Sequence, residues 1–333
     1  MILVTGGAGY IGSHAVVALL EEGFDVVIFD SLENGYIETV NALKTIEARG
    51  RIKGFIRGDL QNLRDVYSIF SRYKIEAVIH FAAYISVEES MKDPMKYYYN
   101  NLLGSLNLIS AMLDYGIDKI VYSSTAAVYG SPNRVPIDEE CPTSPINPYG
   151  QSKKMVEQIL DDCDKAFGLR NVRLRYFNVA GADGLLRVGE RHEPETHLIP
   201  NLIASACDSQ ETFNLYGDKY KTRDGTCIRD YVNVEDLADA HVLALKYLLD
   251  GGNSDYFNLG TSDGSSVKEV LAVCEQTIGK KIKTRLCEPR VGDPETLVAD
   301  NKKAAKILGW KPKRSLEDSV RTAYEWHKKE KLA

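Results

Sequence analysis

Through the first half of the chain, short apolar runs alternate with helix-length amphipathic stretches. Met1–Thr5, Asp25–Asp30, Ile52–Gly58, Glu76–Ala83, Lys119–Ser124 and Asn171–Asn178 read as strands, and the stretches between them carry apolar residues at helical spacing. Strands that are apolar on both faces and separated by helices predict an α/β fold with a parallel, doubly wound sheet. Parallel neighbours need crossover connections, and those connections cover both faces. After Asn178 the rhythm breaks into the Gly- and charge-rich segment Gly181–Glu195. The shorter elements His197–Cys207, Phe213–Gly217 and Asp236–Leu249 follow it. The pattern predicts a first domain over 1–178 and a smaller mixed α/β lobe over 179–333. Segments around 228–262, including Tyr256–Gly260, are expected to cross back and extend the first sheet.

Composition narrows the partners. With 333 residues, 44% hydrophobic and 26% charged, the chain can bury two cores. The balance of 41 Lys+Arg against 47 Asp+Glu gives a net charge of −6 with no basic run, so nucleic acid is not an expected partner and an anionic ligand must be held locally. Six cysteines lie scattered without metal-ligand spacing, which argues against structural zinc and a disulfide framework, and no bound metal is expected. The chain opens on Met1–Thr5 with no charged leader, and no apolar run approaches twenty residues. The expected setting is the cytosol, away from membranes.

The candidate chemistry begins at the first strand–helix junction. Gly6, Gly9 and Gly12 in TGGAGYIG fall where a strand ends and a helix over Ile11–Glu22 begins, so backbone N–H groups and the helix dipole can face a pyrophosphate. Glycine triplets also occur in ordinary turns; the second strand supplies context. It ends in Asp30, about twenty residues on, where a carboxylate accepts hydrogen bonds from ribose hydroxyls and repels a 2′-phosphate. This makes the first domain a Rossmann-type dinucleotide domain and favours NAD over NADP. Asp59, after the third strand, reads either as an adenine contact or as a turn residue.

Tyr149 and Lys153 lie one turn apart on a helix starting near Pro148 and share a face. A free tyrosine is a poor base at neutral pH, but a lysine ammonium and a cationic nicotinamide would stabilise its phenolate. The pair also arises on ordinary solvated helices. Here it follows a dinucleotide fingerprint and a strand ending in hydroxyls, with Thr125 placed to relay a proton or orient a substrate. The combination points to hydride transfer at an alcohol carbon.

TGGAGYIG, HFAA (80–83), YYYNN (97–101), SSTAAVYG (123–130), PYGQSK (148–153), RYFNVAGA (175–182), IRDYVNVEDLADAH (228–241) and YFNLGT (256–261) span nearly the whole length. In these motifs the chain resembles the extended short-chain dehydrogenase/reductases and, within them, the UDP-glucose 4-epimerase family. The resemblance implies that Tyr149 is the acid/base, Lys153 its partner on the nicotinamide ribose and Thr125 the hydroxyl beside them. Hydride leaves sugar C4 for NAD, the 4-keto sugar turns about its diphosphate, and the hydride returns to the other face. Around NAD it implies Gly6, Gly9, Tyr10, Ile11, Gly12, Asp30, Ser31, Asn34, Asp59, Leu60, Phe81, Ala82, Ala83, Asn100, Ser123, Tyr149, Lys153 and Tyr176. Around the UDP-sugar it implies Thr125, Tyr149, Asn178, His197, Leu198, Asn214, Tyr216, Arg229, Arg290, Asp293 and Leu297. Arg229 and Arg290 would supply charge-assisted contacts to the diphosphate. The helices Pro94–Tyr115 and Tyr149–Phe167 correspond to those that pair family members into homodimers; from the sequence alone their apolar stripes also suit a monomer core.

Local departures bear on the details. Related 4,6-dehydratases place an acidic pair after the Ser/Thr, where this chain has Ala126 and Ala127, which cannot move protons. Ile85 stands where many epimerases carry a lysine, and His197 replaces a common asparagine. Leu297 falls at a pocket wall that is tyrosine in strict glucose/galactose enzymes and cysteine in those that also take N-acetyl sugars. Its bulk implies that UDP-N-acetylglucosamine and UDP-N-acetylgalactosamine are accepted to some extent. The alternatives are a 4-epimerase of a UDP-pentose or UDP-uronate and a non-catalytic NAD-binding regulator.

Overall fold

The computed structural model describes residues 1–46, 50–208, 211–290 and 294–332. Thirteen strands are described: β1 (Ile2–Thr5), β2 (Val26–Asp30), β3 (Ile52–Arg57), β4 (Ala77–His80), β5 (Lys119–Thr125), β6 (Arg170–Tyr176), β7 (Asn178–Ala180), β8 (Phe213–Tyr216), β9 (Ile228–Asn233), β10 (Asp255–Leu259), β11 (Gly264–Ser266), β12 (Thr284–Cys287) and β13 (Thr296–Leu297). Seven form one sheet in the order β10-β6-β5-β4-β1-β2-β3, every pair parallel. This is the doubly wound architecture expected of the alternating pattern.

Side-chain alternation along each strand builds two cores, one per face. Ile2, Val4, Val26, Ile28, Ala77, Ile79 and Val121 face the helices Tyr10–Glu21 and Val234–Leu249. Leu3, Val27, Phe29, Val78, Ile120 and Tyr122 face the helices Leu63–Arg72, Gly104–Asp114 and Pro148–Phe167. Most of these side chains are wholly buried, each contributing about 1.5–3 kcal/mol.

Two expected elements are cut short. The strand expected over Glu76–Ala83 ends at His80, because Phe81–Ala83 turn toward the glycine loop. The helix expected over Pro94–Tyr115 is broken: Tyr98–Leu103 adopts one π-helical turn between Pro94–Tyr97 and Gly104–Asp114. Such bulges turn side chains that a regular helix would place elsewhere.

Past Tyr176 the chain changes sheets. Phe177 separates β6 from β7, and β7 pairs with β9 in a second sheet that runs β11-β9-β13. The expected return to the first sheet is made by β10, which pairs with β6 from Asp255↔Val172 to Leu259↔Tyr176. A third core, including Ile199, Leu202, Tyr231, Val270 and Val320, holds the second lobe together.

Candidate active site

Strand order reverses between β1 and β4, and the loops after these two strands meet there, where open α/β sheets bind ligands. Gly6 has φ +72°, and a Cβ on it would lie 2.6 Å from Ala82 N; a Cβ on Gly12 would lie 2.1 Å from the Gly6 carbonyl oxygen. The cradle therefore tolerates no side chain at either position. The helix Tyr10–Glu21 starts at Gly9 with no side-chain cap and no acidic residue in its first turn, so its N–H groups and dipole remain open to an anion.

Asp30 ends β2, only 6% exposed, and accepts 2.9 Å hydrogen bonds from Ala8 N and Leu32 N. Burial lifts its pKa and those two bonds pull it down. Asp30 thereby ties the glycine loop to the end of β2. The loop residues Ser31 and Asn34 beside it are exposed, while Leu60 is buried. Asp59 Oδ1 accepts from Gln61 N at 2.8 Å, a turn bond that leaves its other oxygen for a ligand. A glycine cradle, an unblocked helix start and a buried acid with no lysine or arginine among its perturbing groups fit an NAD-type dinucleotide.

Tyr149, Lys153 and Thr125 come together at the end of β5. Asn147 Oδ1 caps the helix Pro148–Phe167 by accepting from Gly150 N at 2.8 Å, which puts Tyr149 in the first turn and Lys153 one turn on. Both side chains are nearly sealed, at 9% and 2% exposed. Thr125 lies close enough to the Tyr149 phenol to ease its ionisation, and Lys153 Nζ donates to the Ser123 carbonyl at 2.8 Å. Burial pushes the lysine down to about 7, with Glu157 opposing that shift. The tyrosine pKa is raised by burial and only partly restrained by Thr125. The expected lowering rested on the lysine and a cationic nicotinamide together; without the nicotinamide the pKa stays raised, with Lys153 bonded to Ser123. A cationic nicotinamide beside the phenol would reverse the sign.

Further residues expected around the cofactor converge on this crevice. The Tyr176 hydroxyl bonds Ser123 Oγ, Phe81 packs its ring 4.5 Å from that of His241, and Tyr10 donates to the Gly181 carbonyl at 2.6 Å. Asn100 lies in the π turn and donates to Asn101 Oδ1 at 3.0 Å.

Apart from Thr125 and Tyr149, the residues expected around the UDP-sugar follow Phe177 in the chain. Asn178 starts β7; Asn214 and Tyr216 lie in β8; Arg229 lies in β9, opposite Leu297 in β13. Arg229 is 9% exposed and donates to the Ile228 carbonyl at 2.8 Å, while the Arg290 guanidinium sits 4.4 Å over the Tyr216 ring. Asn214 accepts from Arg285 at 2.8 Å. His197 occupies the N-cap position of the helix Leu198–Cys207 without a side-chain capping bond. Leu297 packs on the cluster that holds Ala126 and Phe177, at the turn following Thr125. Asp293 lies outside the described residues.

Two arrangements escape a motif-by-motif reading. One is a buried polar chain: Thr5 Oγ1 meets His80 Nδ1 at 2.6 Å, His80 Nε2 meets Ser105 Oγ at 2.9 Å, and Ser105 donates to the Asn101 carbonyl at 2.5 Å. Asn101 Nδ2 then reaches Ser152 Oγ at 3.2 Å, and Ser152 donates to the Tyr149 carbonyl at 2.7 Å. The other groups Glu190, His192, Glu195 and His197. Burial opposes the charge on His197, but the two glutamates outweigh it and hold it up at about 10; the two histidines hold Glu190 down at about 2 against burial. Its only sequence signal was the spacing Glu-x-His-x-x-Glu-x-His.

The family profile described as GDP-mannose 4,6 dehydratase matches residues 3–323. A UDP-glucose 4-epimerase of Lactobacillus helveticus is 48% identical over 328 residues, which is 98% of this chain and 97% of that protein. The crystal structure of a UDP-glucose-4-epimerase from Stenotrophomonas maltophila, with bound NAD and formylated UDP-arabinopyranose, superposes with TM-score 0.95 at 39% identity, covering 100% of this chain and 99% of that one. A UDP-Glc/GlcNAc 4-epimerase from Campylobacter jejuni is 40% identical with TM-score 0.86, covering 98% and 99%.

Proposed function

This chain belongs to the UDP-glucose 4-epimerases, within the broader family that the dehydratase profile describes, and from that premise we propose that Tyr149, Thr125 and Lys153 carry out its reaction. The chain interconverts UDP-galactose and UDP-glucose, with NAD as cofactor. NAD, held by the glycine cradle and Asp30, would supply the hydride acceptor and donor for sugar C4. Tyr149 takes the C4 hydroxyl proton as the C–H bond breaks and returns it after the ketone has turned its other face. Thr125 holds the phenol and the hydroxyl in line, and Lys153 orients the nicotinamide ribose from its bond to Ser123. Ala126 and Ala127 leave no acid or base for elimination, so the reaction stops at inversion.

The observation that carries this reading is the gathering of buried Tyr149 and Lys153, the latter bonded to the Ser123 carbonyl, at the end of the strand bearing Thr125, on the edge that also carries the glycine cradle. Arg229 and Arg290 hold the diphosphate; Asn178, Leu198, Asn214, Tyr216 and Asp293 hold the uridine and flanking groups. The sugar stays free to turn. Leu297 leaves room for an N-acetyl group. The protein works in the cytosol as a homodimer through the exposed stripe Met95, Tyr99, Leu103 and Leu106, with Met155 on the neighbouring helix.

Purified protein given UDP-galactose without added NAD should form UDP-glucose on cofactor it already holds. Tyr149→Phe should keep the bound nicotinamide and lose about 10²–10⁴ in turnover. Full activity in that variant would overturn the assignment.

A further inference from the structure

The segment Glu190–His197 runs from the glycine loop to the start of the helix Leu198–Cys207, and it is firmly held. The Trp326 indole donates to the Glu190 carbonyl at 2.9 Å, and a Cβ on Gly189 would lie 2.3 Å from that ring. Arg191 pairs with Glu330, and its guanidinium sits 4.9 Å over Tyr36. At one end the His192 ring stands edge-on to Tyr10, 6.2 Å between centroids. At the other, Glu195 Oε1 accepts from His197 N at 2.8 Å.

Inside this strap the donor atoms of four side chains converge, with both Glu195 oxygens taking part. His197 Nδ1 lies 2.8 Å from Glu190 Oε1 and 3.2 Å from Glu195 Oε1; His192 Nδ1 lies 3.2 Å from Glu190 Oε1 and 3.9 Å from Glu195 Oε2. All four groups offer a ligand atom within 4.8 Å of one another. Glu190 is 6% exposed, and neither of its oxygens, nor His192 Nδ1, makes a hydrogen bond of good angular geometry. A sealed carboxylate aimed at two imidazoles without directional bonds is an arrangement that a central cation would complete.

We propose that Glu190, His192, Glu195 and His197 form a four-coordinate site for a zinc-class divalent cation. Zinc binds imidazole and carboxylate at about 2.0–2.2 Å in a tetrahedron, whose ligand–ligand edges are then about 3.3–3.6 Å. The four imidazole–carboxylate separations, 2.8 to 3.9 Å, lie about those edges, and all four groups stay within 4.8 Å, so side-chain rotation inside the strap would close the tetrahedron. Two carboxylates balance one divalent charge with both imidazoles neutral, and the mixed nitrogen and oxygen donors suit zinc over calcium or magnesium. The Trp326 and Thr196 N–H bonds, the latter to Glu195 at 2.7 Å, supply the outer contacts that fix such ligands. An ion here would staple the cofactor loop, through Tyr10, to the helix that starts after His197.

The test uses untagged full-length holoenzyme, stripped with chelator and titrated with cobalt(II), whose tetrahedral complexes absorb strongly in the visible. The expected result is an intense band saturating at one cobalt per chain, displaced by zinc. Binding should weaken at least tenfold in Glu190→Gln and in His192→Ala, with Glu195→Gln replacing either that fails to fold. Absence of the band in the unaltered chain, or an undiminished band in the folded variants, overturns the proposal. None of these readouts depends on epimerase activity, so failure of the catalytic assignment leaves the test intact.

Discussion

Lys153 sits in the catalytic cluster with no carboxylate on its ammonium, and this has a price in stability. Its pKa is about 7 in the folded chain against 10.5 unfolded, so between these values the unfolded chain holds the extra proton and stability rises with pH. Below about pH 7 the penalty is complete. Without cofactor, Lys153→Met is therefore expected to raise the melting temperature at pH 7, with an advantage that shrinks toward pH 10; an advantage that grows with pH would show the lysine to be charged and stabilising. Leu297 decides substrate range at the same scale. Leu297→Tyr should lower kcat/KM for UDP-N-acetylglucosamine relative to UDP-glucose by about tenfold or more, measured by coupled assay. No turnover of the acetylated sugar by the unaltered chain at millimolar concentration would remove the premise. Residue identity drew attention to this site because glycine, tyrosine and lysine at fixed spacing have few other reasons to coincide. The phenol's titration in the cofactor-free chain was not legible. That depends on burial and on where Lys153 Nζ points, and neither is written in a four-residue spacing.

Among the elements, the buried chain from Thr5 through His80, Ser105, Asn101 and Ser152 couples the glycine-loop strand to the helix bearing Tyr149. Asn101 is its centre, meeting both Tyr84 N and Tyr84 O at 2.8 and 3.0 Å. Asn101→Ala leaves these groups unpaired, and thermal or denaturant unfolding should register about 1–3 kcal/mol of destabilisation. A neutral outcome would mean that water replaces the amide. Apart from the end of β4, the first-sheet strands through β6 were legible to within a residue or two, since strands buried on both faces leave continuous apolar runs in the sequence. The π turn at Tyr98–Leu103 was not legible. Its apolar spacing still reads as helix, and only the packing of Asn101 against Tyr84 and Ser152 shows why one extra residue is accommodated. The end of β4 at His80 was hidden for a similar reason: it is set by the approach of Ala82 to Gly6, a contact 76 positions apart.

For the whole molecule, the exposed stripe Met95, Tyr99, Leu103 and Leu106 is the surface proposed to pair two copies. Light scattering should give a mass near twice 37.1 kDa, and Leu103→Glu should shift it toward the single-chain value. An unchanged mass in that variant would move the interface elsewhere. The break in rhythm after Asn178 coincides with the change of sheets at β7, but the second sheet, built from short strands with partners far along the chain, could not be paired from pattern alone. The return of β10 to the edge of β6 has a consequence during synthesis. A ribosome that has released only the first 178 residues has delivered six of the seven strands and none of the helix Val234–Leu249 that covers one face. The nascent chain must carry an open edge and a bare apolar surface until residue 259 emerges, so the second half of the message acts as the first domain's own chaperone in cis.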